Sequence, residues 1–345
     1  MWYLINETMF LRRVKMKVRR IVSVFVYVLV MQAVICFAAQ EGQAPAGKVD
    51  LKLRLKAGES HEMKMTQTQN ITQTMNSQEQ KITQVQEMVM GFDVLSVDTN
   101  GVMDVEMTYK AMKITMDGPM GHLEFDSVNP KPVDPNRPDE KMLAAMFSAM
   151  AGSKFQMKIS PTGKTSDVRG LGAMMAKMRE KIKESVGNTP EMQGLDRFFD
   201  KMFDEKQVKE MTGDMLGAFP AEPVAVGDTW YDTMSMNFIM PIDVDTTYML
   251  KQRKDGIAYI DAVAKMDMGD SSKAIEIDPN NKFSMQISGT MNTTSEVDEK
   301  TGLTRKSNIA MNFSGVMRVE ANQQMPEGMT MPMTIVGNAV VELIK

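Results

Sequence analysis

The chain has 345 residues with 40 basic and 44 acidic side chains, a formal net charge of −4, one cysteine, two histidines and 39 methionines. A lone Cys36 excludes a disulfide framework, and an acidic balance without basic clusters argues against nucleic acid or an anionic membrane as a main partner. Methionine far outnumbers leucine, of which there are 15, so the chemistry hinges on what these thioethers do.

In chain order, Lys15–Arg20 is basic, Ile21–Ile35 is apolar over the length of a secretory core, and Cys36–Ala38 supplies small residues for cleavage. The expectation is a signal peptide over residues 1–39, with Met16 as an alternative start that makes 1–15 an upstream extension. The mature chain then begins near Ala39 or Gln40 and works in the periplasm or outside the cell, as part of a bacterial envelope. Two alternatives stay open. A retained anchor is one, although the apolar run is short and broken by Gln32. Lipid attachment at Cys36 is the other, although Ile35 stands where a small residue is needed. Without the leader, 34 basic and 43 acidic residues remain, a net charge of −9, and no thiol.

Residues 40–49 form a small polar linker, and a first β half follows over 50–137. In "HEMKMTQTQNITQTM", Glu62, Lys64, Thr66, Thr68, Asn70, Thr72 and Thr74 share one face, while His61, Met63, Met65, Ile71 and Met75 share the other. Gln67, Gln69 and Gln73 interrupt that second face, so the far end of this ribbon is predicted to be wet on both sides. Asn76-Ser77 turns the chain into a partner strand, and Asp98–Gly101 turns it again. After that turn Met103, Val105, Met107 and Tyr109 face inward, but past Ala111 the inward set becomes Met112, Ile114 and Met116. One extra residue of this kind is a β-bulge, and bulges bend sheets.

A Pro-rich break at 129–138 opens a helical insert over 138–218. Met142, Leu143, Met146, Phe147 and Met150 form a helical stripe that stops at Gly152. A short strand and turn near 154–168 precede a second helix, with Leu171, Met174, Met175, Met178, Ile182 and Val186 on one face and Gly187 at its end. Residues 191–216 are helical again, with Phe198, Phe199, Met202 and Phe203 among their apolar positions. A second β half, 219–345, repeats the first: 56–65 resembles 225–236, "FQMKIS" at 155–160 matches "FSMQIS" at 283–288, and "PTGKT" at 161–165 echoes "KTGLT" at 300–304.

No nucleophile elbow, phosphate loop or dinucleotide fingerprint is present. "PIDVDTT" (241–247) resembles a phosphatase nucleophile motif, but it runs on into an antiparallel strand, which places Asp243 and Asp245 on a wet face with Ile242 and Val244 inside. His61 and His122 cannot build a zinc site or a triad unaided, so no enzyme activity and no cofactor are expected. Soft-metal candidates lie in two segments read as loops from their Pro and Gly: Met325, Met329, Met331 and Met333 in "MPEGMTMPM", and Met116 and Met120 beside His122 in "MDGPMGH". Because methionine is spread along the whole chain, ordinary core is the better account of them.

At "FPAEPVAVGDTWYDT" (219–233) the chain resembles a family of exported bacterial proteins of unknown function that carry a Pro-x-x-x-Val-x-x-Gly-Asp-x-Trp segment. Pro223, Val226, Gly227, Asp228 and Trp230 carry the likeness, which implies a class but no activity; Trp230 is expected to be structural, fixing the first strand of the second half against the helical block. The alternation of long strands with a helical insert also looks like lipoprotein carriers, in which an incomplete barrel cups acyl chains beneath helices. The resulting expectation is an α+β, mainly antiparallel fold: a strongly bent sheet or incomplete barrel from two related halves, with a central helical insert on its concave side. Its function is then non-catalytic binding of a lipid or other apolar molecule, with Met146, Phe147, Met150, Met175, Met178, Phe199, Met202 and Phe203 as lining. The alternatives are a structural or interaction protein of the envelope with a solid Met-rich core, and Cu(I) binding through the Met clusters.

Overall fold

Strand alternation dominates the computed structural model, which describes residues 47–75, 78–119, 121–134, 136–187, 219–237, 241–268, 275–278, 281–321 and 327–345. The expected leader, with Cys36, and the third helical stretch of 191–216 lie outside the described residues. In chain order the elements are β1 (Lys48–Val49), β2 (Ser60–Met75), β3 (Gln78–Val97), β4 (Met103–Gly118), β5 (Gly121–Asp126), α1 (Pro138–Met150), β6 (Lys154–Ile159), β7 (Thr165–Arg169), α2 (Leu171–Val186), β8 (Val224–Ala225), β9 (Thr229–Asn237), β10 (Pro241–Lys254), β11 (Ile257–Asp267), β12 (Ile275–Asp278), β13 (Asn281–Asp298), β14 (Thr304–Val319) and β15 (Met329–Leu343).

Thirteen strands make one antiparallel sheet in the order β7-β6-β4-β3-β2-β15-β14-β13-β11-β10-β9, with β5 beside β4 and β12 beside β13. The sheet is curved but unclosed, as the mainly antiparallel, bent-sheet reading expects. Its free edges, β7 and β9, are joined in sequence by α2 and the segment after it, while the first and last long strands, β2 and β15, pair at the centre. The segments matched as repeats fall on β2 and β6 and on β9 and β13, which bound two runs of four neighbouring strands with the same chain order, β2-β3-β4-β6 and β9-β10-β11-β13.

Curvature has identifiable sources. Between the pairs Val89↔Ala111 and Met90↔Tyr109 the register slips, leaving Lys110 as the extra residue of the bulge. On the concave face of the second half, Gly289 and Gly315 let neighbouring backbones approach closely. A Cβ at Gly315 would lie 2.0 Å from the Gln286 carbonyl oxygen, and one at Gly289 would lie 2.2 Å from that of Asn312.

Along the long strands most inward residues are apolar and the outward ones are solvated, so the core lies on the concave side. Twenty methionines belong to the buried core among the described residues, in positions where Leu or Val would ordinarily stand. Helix α1 packs on β5, with Phe147 stacked on Phe125 at 5.6 Å, and α2 packs on α1 and β6. Both helices keep the bounds read from their apolar stripes, and Pro138 occupies the first turn of α1, where a missing N–H costs nothing.

One end of the curved sheet is strapped shut. Residues 50–56 cross it in extended form, burying Leu51, Leu53 and Leu55. The Leu53 N–H donates to the Pro161 carbonyl in the β6–β7 turn (2.7 Å), and the Arg54 N–H donates to the Thr301 carbonyl in the β13–β14 turn (3.1 Å). These are the two turns whose sequences echo each other, so the strap bridges both of them. Arg253 fastens the strap's start: its guanidinium holds Glu299 in two bonds of 2.7 and 2.8 Å and reaches the Lys48 carbonyl at 3.3 Å.

Trp230 sits beneath this strap. It stacks on Tyr248 at 5.5 Å and shares a second, smaller core with Val49, Leu51, Phe219, Val224, Leu250 and Ile260; α1 and α2 of the helical block have no part in it, and residues 188–218 of that block lie outside the described residues. The residues before it build a tight turn: Gly227 has φ +95°, and the Asp228 carboxylate accepts the Ala225 N–H at 2.9 Å. The Gly-Asp-x-Trp string is therefore architectural here, a turn that drops the indole into the core beside β8.

Candidate functional site

The inward face of β2 and β3 departs from its apolar surroundings at one place. Gln67 faces Gln86 and Gln69 faces Gln84 across the strands; Ile71 then faces Ile82, and Gln73 faces Gln80. Gln67, Gln69, Gln73, Gln84 and Gln86 are all buried, the last two with 2 % and 1 % of their surface exposed. This overturns the wet-ribbon expectation. A polar residue at every second position reads as a solvated face, but here pairing with β15 from the far end of the chain puts these strands in mid-sheet, and the Met311 side chain of β14 reaches Gln67 and Gln69.

Four of these amides form a square with apolar walls. On the β4 side Gln86 neighbours Ile114 and Gln84 neighbours Met116; on the β15 side Gln69 neighbours Gly337 and Gln67 neighbours Ala339. Because Gly337 has no side chain, Met311 of β14, paired with it, reaches over β15 toward β2. Its Sδ lies 3.7 Å from Gln67 Nε2 and 3.9 Å from Gln69 Nε2. A thioether is a weak acceptor, so these donors are poorly answered. Gln84 Oε1 and both amide atoms of Gln86 are buried without a hydrogen-bond partner. Exchanging O and N by flipping the Gln86 amide repairs nothing, since both ends are unmet. Each such buried polar atom costs about 1–3 kcal/mol unless something completes it.

The square is electrically neutral. Charges on these strands alternate outward, where Lys64 pairs with Glu87 at 2.6 Å and Lys110 crosses Gly91 to reach Glu62 at 2.7 Å. Further along the outer face, hydrogen bonds from Lys154 and then Gln156 hold the Glu106 carboxyl below its ordinary range. Such exposed pairs contribute little to stability, and none of them reaches the glutamine square.

Of the residues expected to line an apolar cavity, Met146, Phe147, Met150 and Met178 are buried in the main core and Met175 packs against it half-buried; Phe199, Met202 and Phe203 lie outside the described residues. Met329, Met331 and Met333 stand on one face of β15, not in a loop, with Met331 and Met333 buried; Met325 lies outside the described residues. Met116 points inward while His122 is exposed beside Asp117 at 2.7 Å, so that pair does not converge; Met120 lies outside the described residues. His61 lies tilted against Phe92 with ring centres 5.0 Å apart, and the strand register separates it from His122 by about nine residues of β3, roughly 30 Å. Among the described residues no group of three or more His, Cys, Asp or Glu side chains could hold a metal. Asp243 and Asp245 are exposed and bonded to Ser235 and Thr233, with Ile242 and Val244 buried. The β10 strand they sit on is antiparallel to both neighbours, which is the wrong setting for phosphoryl transfer to an aspartate.

The fold and its interior thus define a curved antiparallel sheet with a thioether-rich core and an uncharged square of amides within it. The chain belongs to a family of unknown function (DUF6263), which covers residues 100–304. No curated protein matches it. Among solved structures it is similar to lipovitellin, from a study of lipid–protein interactions, at 8% identity and a TM-score of 0.39 over 85% of this chain and 26% of that one. It is also similar to an outer membrane channel from Pseudomonas putida F1 (9% identity, TM-score 0.19, 88% of this chain and 100% of that one). OccK5 of Pseudomonas aeruginosa gives 8% identity and a TM-score of 0.20, covering 83% and 99%. The chain spans about a quarter of the lipovitellin chain.

Proposed function

We propose that the protein is a non-catalytic carrier or receptor of the bacterial envelope, taking an acyl chain or similar apolar molecule into the concave side of its sheet. The observation that supports this is the composition of the core: a single apolar interior running from β6 to β10, in which methionine is the commonest residue and two helices supply part of the cover. Unbranched thioether side chains re-pack around a flexible guest at small cost, which Leu, Ile and Val do not do as readily. Export rests on the basic, apolar and small-residue order of residues 15–38.

A structural protein with a filled core is the second reading, favoured by the near-complete burial of Phe92, Met103, Met107, Ile182 and Met285. Titration with fluorescent fatty-acyl probes of several lengths separates the two. A carrier binds one probe saturably, and Met146→Gln or Met178→Gln weakens that binding while the β-sheet circular dichroism persists. A filled core binds no probe, and the same substitutions lower stability by burying an amide without a partner. Well-folded wild-type protein that binds no probe of any length ends the carrier reading.

A further inference from the structure

The glutamine square answers a question that the apolar lining leaves open, namely which part of a guest the protein recognises. We propose that Gln67, Gln69, Gln84 and Gln86 form a hydrogen-bonding subsite for the uncharged polar head of an acyl ligand: an ester or amide carbonyl with a neighbouring hydroxyl or N–H. This rests on the carrier reading and specifies its ligand class.

Three observations select that chemistry. First, the unmet atoms include both senses of hydrogen bond: Gln86 offers a donor and an acceptor, Gln84 an acceptor, and Gln67 and Gln69 offer donors that face only a thioether. A group that both accepts and donates completes them; a bare hydrocarbon completes none. Second, the walls around the square are Ile71, Ile82, Ile114, Met116 and Ala339, all uncharged. A carboxylate or phosphate there would be stripped of water with no cation to balance it, which selects against ionised heads. Third, the weakest neighbour is also the most movable. Met311 reaches the amides across the gap left by Gly337, and a rotation of its unbranched side chain hands its place to a carbonyl oxygen, a far better acceptor.

The test compares three ligands of equal chain length by displacement of a bound fluorescent acyl probe: monooleoylglycerol, oleate at pH 9, and the corresponding alkene without a head group. Wild-type protein should prefer monooleoylglycerol over the alkene by about 10- to 100-fold, the range that one or two well-made hydrogen bonds supply. Oleate, ionised, should bind no better than the alkene. In Gln84→Met/Gln86→Met, which keeps side-chain volume, that preference should fall to within about threefold through loss of monooleoylglycerol affinity alone. If that variant does not fold, Gln67→Met/Gln69→Met makes the same test from the opposite strand. Equal binding of ester and alkene by wild type, or a preference unchanged in the variants, overturns the subsite and leaves the carrier standing. Failure of every ligand and probe to bind wild type overturns both.

Discussion

Trp230→Ala probes the strapped end of the sheet most directly. The indole is 8 % exposed, shares its core with Val49 and Leu51 of the strap, and lies almost parallel to Tyr248 at 5.5 Å. A buried tryptophan removes about 150–250 Å² from water, or roughly 4–6 kcal/mol at 25 cal/mol per Å². Alanine retains a small part of that, and the lost stack with Tyr248 adds about 1 kcal/mol. The expected cost is therefore about 4 kcal/mol, within the usual span for an aromatic-to-alanine change in a core. Equilibrium urea unfolding followed by the strand signal in far-ultraviolet circular dichroism measures it. Leu51→Ala should cost about 3 kcal/mol and couple to Trp230→Ala by more than about 0.5 kcal/mol, because both empty the same cluster. The only other tryptophan is Trp2 in the expected leader, so indole fluorescence of the leaderless chain reports Trp230 alone. Emission like that of a water-exposed indole, or an unchanged urea midpoint in Trp230→Ala, would refute the account of this end of the fold.

Burial pushes the Tyr109 phenol up to about 12 from an ordinary 10.0. Its contribution to stability is therefore complete below pH 10 and lost as pH rises toward 12, about 3 kcal/mol in all, and Tyr109→Phe should flatten the alkaline limb of a stability–pH curve. Identical alkaline limbs in the two proteins would count against it. Gly315→Ala places a methyl against the Gln286 carbonyl and should destabilise by about 3 kcal/mol, whereas Ser314→Ala on the exposed face should stay within about 0.5 kcal/mol, both read from urea midpoints. Met331→Leu and Met333→Leu should each cost less than about 1.5 kcal/mol, since the two stand in a core where volume matters more than sulfur. In a competition titration the wild type should take up no stoichiometric Cu(I); tight uptake abolished by those two changes would reverse the assignment of this run to core.

Local periodicity made much of the sheet legible. Met103 to Met116 alternates, skips one residue and alternates again, and the skip is the Lys110 bulge. The stripes from Leu143 to Met150 and from Leu171 to Val186, bounded by Pro138, Gly152 and Gly187, are the two helices. Pairings between distant segments were not legible. Pro332 made "MPEGMTMPM" look like a loop, because proline cannot donate within a ladder; yet β2 begins to pair with β15 only at Met333, so one side of β15 at Pro332 has no β2 partner. Trp230 read as an anchor for the helices because nothing in its neighbourhood announces the strap of residues 50–56, which arrives from the other end of the chain.

The glutamines illustrate the same limit with a consequence for function. Alternation in β2 assigns Gln67 and Gln69 to the face shared with Met63 and Ile71, and a local reading resolves the conflict by making that face wet. The residue that decides otherwise is Met311, more than 240 positions away, brought over Gly337 by pairings of β14 with β15 and of β15 with β2. A sequence that needed only a filled core could place Leu at these inward positions and gain the burial of four apolar side chains. Leaving amides there forgoes that gain and adds the cost of unmet donors and acceptors. Such a loss persists in a fold when the polar group serves an interaction other than packing, and the square's neutrality narrows that interaction to an uncharged partner able both to accept and to donate.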